Sequence, residues 1–177
     1  MNGKNIVFIG MPGSGKSTLG VLLAKHLGMA FLDTDLIIQQ REGRLLQSII
    51  DQDGVVEFLQ IEAAVVQQIR VADTVIATGG SVIYSAPAIE QLRRDSILVY
   101  LQLSYPAIEQ RIQNMASRGI ALAEGQQLVD LYHERIPLYE ANADLTMPCD
   151  GLSVDELIFK ISDLLKPLLA SQDPTRP

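Results

Sequence analysis

The stretch "GMPGSGKST" at residues 10–18 lies between the apolar run "NIVFI" (5–9) and "LGVLLAKHLG" (19–28). The first flank reads as a buried strand and the second as a helix that Gly28 stops. The stretch fits G-x-x-x-x-G-K-[ST] as Gly10, Gly15, Lys16 and Ser17. Glycines let successive backbone N–H groups curl around phosphate oxygens, where a Cβ would obstruct the approach. The helix that follows points its positive end at the same anion. Lys16 reaches the outer phosphates and the Ser17 hydroxyl holds Mg²⁺. The spacing therefore predicts a nucleoside triphosphate bound with Mg²⁺ by Gly13, Ser14, Gly15, Lys16, Ser17 and Thr18.

Outward from that loop, short apolar runs alternate with longer amphipathic stretches. "MAFLD" (29–33), "TVIATGG" (74–80), "SILVYLQL" (96–103) and "ADLTM" (143–147) read as further strands. "FLQIEAAVVQQIRVA" (58–72) and "SVDELIFKISDLLKPLL" (153–169) carry apolar residues at helical spacing. Ser153 and Glu156 form a capping box at the start of the second of these helices. Strands apolar on both faces, separated by helices, predict a parallel sheet covered on both sides. One domain over 1–169 is expected, with a frayed polar tail at 170–177.

Composition narrows the function. Of the 177 residues 47% are hydrophobic, enough for a core, and the net charge is -7. An acidic surface argues against nucleic acid or an anionic membrane as a general partner, though a local pocket can still be basic. The single cysteine, Cys149, cannot pair within the chain, and no leader or long apolar span is evident, so a cytoplasmic protein is expected. A monomer is the default expectation. His26, His133 and Cys149 read as structural residues, Met11 and Pro12 as shapers of the loop, and Asp150–Gly151 as a plain turn.

The guanine-reading N-K-x-D is absent, which argues against a regulatory GTPase, and "TVIATGG" has no terminal Asp of the Walker B kind. Acids must come from elsewhere. "FLDTDL" offers Asp33 and Asp35 just after the second strand, at the sheet edge where ligands of parallel α/β sheets sit. One carboxylate would order water on Mg²⁺ and the other would take a proton from an attacking hydroxyl. Helix capping is the competing reading of both.

At these residues the chain resembles the shikimate kinase family of small P-loop kinases, which are similar to nucleoside monophosphate kinases, over nearly its whole length to about residue 165. "GMPGSGKSTLG" looks like that family's phosphate loop, "FLDTD" its D-x-D, "ATGGSV" its glycine-rich substrate turn, and "ERIPLYEANAD" (134–144) its E-R-x-P-x-Y segment. The resemblance implies a three-layer α/β P-loop kinase fold of about five parallel strands, with helices on both faces and a mobile lid over about 114–126. It implies transfer of the γ-phosphoryl of ATP to the 3-hydroxyl of shikimate, a step in aromatic amino-acid biosynthesis. Asp35 would be the base, Asp33 would hold Mg²⁺ through water, and Gly79, Gly80 and Arg135 would bind the acceptor. Arg118 would neutralise charge on the transferring group from the lid.

Three departures fall on the acceptor side. Leu59 stands where the family usually has a substrate-binding arginine in F-R-x-x-E, which also removes the expected partner of Glu62. Ser81 replaces the third glycine of the turn, and the lid reads "RGIAL" rather than R-P-L-L. Losing one guanidinium would cost about 1.5–3 kcal/mol of charge-assisted bonding. Arg41 or Arg44 could supply a replacement cation. The departures keep open a kinase for another small hydroxylated metabolite, or a weakly catalytic nucleotide-binding protein.

Overall fold

A computed structural model describes residues 4–113, 120–122 and 125–170. Among these residues five strands form one parallel sheet: β1 (Asn5–Ile9), β2 (Ala30–Asp33), β3 (Thr74–Ala77), β4 (Ser96–Gln102) and β5 (Leu145–Pro148), in the order β2-β3-β1-β4-β5. All five residues of β1 are buried, as a central strand covered on both faces requires. Its neighbours pair in register, Phe8 with Ala77 of β3 and with Val99 of β4.

The chain leaves β1 toward one edge of the sheet and, after β3, crosses to the other side. Ligands of open parallel sheets sit where the winding reverses, beyond the carboxyl ends of the strands. The phosphate loop follows β1 there, the acid pair sits where β2 ends and the next helix begins, and the glycine turn follows β3.

Helix α1 (Lys16–Leu27) packs over β1, β2 and β3 and against α7 (Val154–Ala170). Gly20 is the closest point of that packing. A Cβ there would come within 2.5 Å of the Phe31 ring, so the helix accepts a poor helix former in order to seat β2 beneath it. The expected capping box is present, with Glu156 N–H donating to Ser153 Oγ and Ser153 N–H to Glu156 Oε2.

Several elements differ from the sequence pattern. The expected 58–72 helix overlaps the C-terminal part of α3 (Leu46–Gln67), which starts earlier, ends at Gln67 rather than 72, and breaks at Gly54, whose φ of 84° lies in the left-handed region. Leu46, Ile49 and Ile50 keep helical spacing before the break, and Gly54 interrupts the run. Helices α2 (Thr34–Glu42), α4 (Ala86–Arg93), α5 (Tyr105–Gln113) and α6 (Leu128–Asn142) add to those expected; α4 keeps Ala88, Ile89 and Leu92 on one buried face, a pattern confined to eight residues. Helix α6 contains Pro137 and is held by its packing on β4 and on the 3₁₀ turn at 82–84. Strand β3 ends at Ala77, and residues 78–81 form the turn; β5 begins at Leu145. Most of the expected lid and the tail at 171–177 lie outside the described residues.

Candidate active site

The phosphate loop holds its shape through glycine. Gly13 and Gly15 have φ of 78° and 97°, and a Cβ on Gly10 would come within 2.9 Å of the Leu101 carbonyl oxygen. The Lys16 ammonium, buried at 8% exposure, donates to the carbonyls of Gly10 (2.7 Å) and Met11 (2.8 Å). Gly15 caps α1 with no side-chain bond to the helix, and no acid lies in its first turn. The first-turn N–H groups of α1 thus keep their positive end for an anion.

Asp33 and Asp35 open α2. Asp33 Oδ1 accepts the Asp35 N–H at 2.9 Å, so Asp33 is the N-cap. The capping reading of Asp33 is correct, and it holds the carboxylate at the carboxyl end of β2 rather than removing it from the site. Thr34, between them, accepts the Gly79 N–H at 3.2 Å and ties the acid pair to the glycine turn.

That turn is closely packed. A Cβ on Gly79 would collide with Glu62 Oε1 and approach Asp35 Oδ1 to 3.1 Å; one on Gly80 would meet Pro12 at 2.9 Å and Arg135 Nη1 at 3.1 Å. Only glycine lets the turn thread between two carboxyls and a guanidinium. Arg135, 1% exposed, donates from Nε to the Tyr84 hydroxyl (3.1 Å) and from Nη2 to the Ala121 carbonyl (3.2 Å). Tyr84 O–H donates in turn to Glu134 at 2.7 Å, and Tyr139 O–H donates to the Gly80 carbonyl at 2.6 Å.

One cleft of about 520 Å³ runs along the phosphate loop, the acid pair, the glycine turn and Arg135. It takes in Gly13, Gly15, Lys16, Ser17, Asp33, Asp35, Gly79, Gly80 and Arg135 from the expected set. Ser14 is buried beneath it, Thr18 is exposed outside it, and Leu59 packs with Ile38, Phe58 and Val65 beside it. Arg118 lies outside the described residues. A shikimate kinase family model matches residues 12–166 of this chain. A shikimate kinase of Thermodesulfovibrio yellowstonii is 34% identical over 161 residues, covering 89% of this chain and 92% of the relative. One of Thiobacillus denitrificans is 34% identical and covers 96% of both chains. The crystal structure of the Acinetobacter baumannii shikimate kinase in complex with shikimate superposes with a TM-score of 0.82 at 33% identity, covering 96% of this chain and 95% of that one. The chain belongs to the shikimate kinase family.

Membership makes the chain an ATP-dependent phosphotransferase that acts on a hydroxyl group with Mg²⁺. The donor set fits that cation. Ser17 and Asp33 offer oxygen donors on one cleft, which suits a hard ion, and among the described residues no cluster of three or more His, Cys, Asp or Glu competes for it. The departures from the family pattern have structural counterparts. Arg44 pairs with Asp53 and donates to Gln52, and Arg41 lies beside Glu42; neither lines the cleft. No described cation stands in for the one that Leu59 replaces.

Glu62 and Arg111 emerge as site residues from the fold. Glu62 is 1% exposed, and burial pushes its carboxyl up to about 7, with the Ser81 hydroxyl opposing and the Asp35 charge adding to the rise. Arg111 of α5 donates to the Gly13 carbonyl at 3.2 Å across 98 positions of sequence, a contact that no local signal announces. Of the residues read as bland, His26 packs edge-on against Phe159, Cys149 is buried, and Asp150 accepts the Ser104 N–H and hydroxyl.

Proposed function

We propose that this chain transfers the γ-phosphoryl group of ATP to the 3-hydroxyl of shikimate. The observation that carries the reading is the meeting of Lys16, Asp35, Gly80 and Arg135 on one cleft at the winding reversal of the sheet. Shikimate offers a carboxylate for Arg135, whose planar fork suits it. Its hydroxyls face Asp35 and the Gly79–Gly80 turn. Asp35 accepts the proton as the acceptor oxygen bonds to phosphorus and the bond to the ADP oxygen breaks.

Lys16 would leave its carbonyl partners for the phosphates, and the first-turn N–H groups of α1 would bind the same anion. Ser17 and Asp33 would hold Mg²⁺, which neutralises the phosphate oxygens when bound. Arg118 would approach the transferring group from the lid, and Arg111 lies beside the loop from α5.

ADP release measured with shikimate and with a panel of other hydroxy acids tests the assignment. Turnover of shikimate is expected, with a high KM, because one guanidinium is missing while the transfer machinery is present. Leu59→Arg should lower that KM about tenfold or more, the scale of one charge-assisted hydrogen bond. Tight ATP binding with no turnover of shikimate, but turnover of another hydroxy acid, would overturn the choice of acceptor.

A further inference from the structure

Glu62 has no role in the transfer described above, yet it is the most deeply buried acid on the cleft. Its Oε1 has no hydrogen-bond partner among the described residues. The groups that face it come from every wall. Asp35 comes from α2, Lys16 from the start of α1, and Arg135 and the Tyr139 phenol from α6; the Ser81 hydroxyl comes from the glycine turn. On its own helix Leu59, one turn away, points into an apolar cluster instead of offering a cation. Two cations, Lys16 and Arg135, and three acids, Asp33, Asp35 and Glu62, line the cleft among the described residues. The charge on Glu62 therefore decides whether the cleft is balanced or net negative toward an anionic acceptor.

We propose that Glu62, tuned by Ser81, is a specificity-determining residue that makes acceptor affinity depend on its proton. With the carboxyl protonated, Arg135 faces the acceptor carboxylate without a nearby competitor. With the carboxyl ionised, Glu62 takes up part of the field of Arg135 and repels the acceptor. The two departures act together. Leu59 withholds the cation that would keep Glu62 ionised at all working pH values, and Ser81 supplies a hydroxyl that partly favours the charged form. Burial, which lifts the Glu62 carboxyl to about 7, places the change within the working range. The inference rests on shikimate being the acceptor.

The test is shikimate kinetics of the full chain from about pH 6 to about pH 8.5, where the acceptor carboxylate stays ionised. In the wild type KM should rise about tenfold or more across that range, the effect of one unscreened charge, while kcat changes much less. Glu62→Gln should flatten the KM profile. Ser81→Gly should move the rise to higher pH. A wild-type KM that is level with pH, or a Glu62→Gln profile that rises like the wild type, overturns the inference and leaves the acceptor assignment standing. No turnover of shikimate at any pH, with ATP binding intact, overturns both.

Discussion

Asp35 is the proposed base on the cleft, and its amide variant separates binding from transfer. Asp35→Asn keeps the hydrogen-bonding shape but cannot take the proton, so kcat should fall about 10²–10⁴-fold with little change in ATP affinity. Equal loss of ATP affinity would place Asp35 on the metal side. Lys16 braces the loop, and its proposed second partner is phosphate. Lys16→Ala should abolish turnover and leave the Gly10 and Met11 carbonyls short of a donor. The protein should stay folded, and its melting temperature should fall by no more than several degrees. Glu62 carries a stability signature of its own. Its folded carboxyl titrates near 7 and an unfolded one near 4.5, so ionisation costs the folded state progressively as pH rises between those values. The melting temperature of Glu62→Gln minus that of the wild type should increase from about pH 5 to about pH 7.5 and then level off. A constant difference would show that Glu62 is already ionised in the fold at acid pH.

At the scale of elements, the packing of α1 on β2 is set by one missing side chain. Gly20→Ala gains about 1 kcal/mol of helix propensity but drives a methyl into the Phe31 ring, which costs about 1–3 kcal/mol. The variant should melt lower than wild type, by roughly 2–4 °C per kcal/mol of net loss in a chain this size. A higher melting temperature would mean that the ring swings aside freely. The same pairing shows what was legible in advance. Strands β1, β3 and β4 stood out as continuous apolar runs buried on both faces, and α7 stood out through the apolar spacing of one face. Helix α2 showed no such pattern, since its course is set by the Asp33 cap and by Ile38 reaching a small cluster formed with α3. Asp33, Asp35 and Lys16 were legible because their neighbours in sequence are also their neighbours in space. Glu62 against Gly79, and Arg111 against Gly13, are meetings made by the sheet order, and a local reading does not contain them.

At the scale of the whole molecule, the cleft exists only when the sheet is assembled, because its walls come from α1, α2, α3, α6 and the turn after β3. Ligands should therefore stabilise the entire fold. Saturating ADP with Mg²⁺ at about 100 times its dissociation constant should add about 2.7 kcal/mol, read as a rise in melting temperature that Lys16→Ala diminishes. An unchanged melting temperature in the wild type would contradict nucleotide binding at the loop. The walls also differ in how they are built. The proposed nucleotide side is one unbroken stretch from Gly10 to Ser17, whose backbone must follow a single path. The proposed acceptor side is a set of side chains borne on separate supports: Glu62 on a helix broken at Gly54, Ser81 on a turn, and Arg135 braced by Tyr84 and Ala121. For an engineer these are a fixed socket and an interchangeable fitting. Exchanging residues 59, 62 and 81 as a group offers a route to new hydroxylated substrates while the phosphate donor and its loop stay as they are.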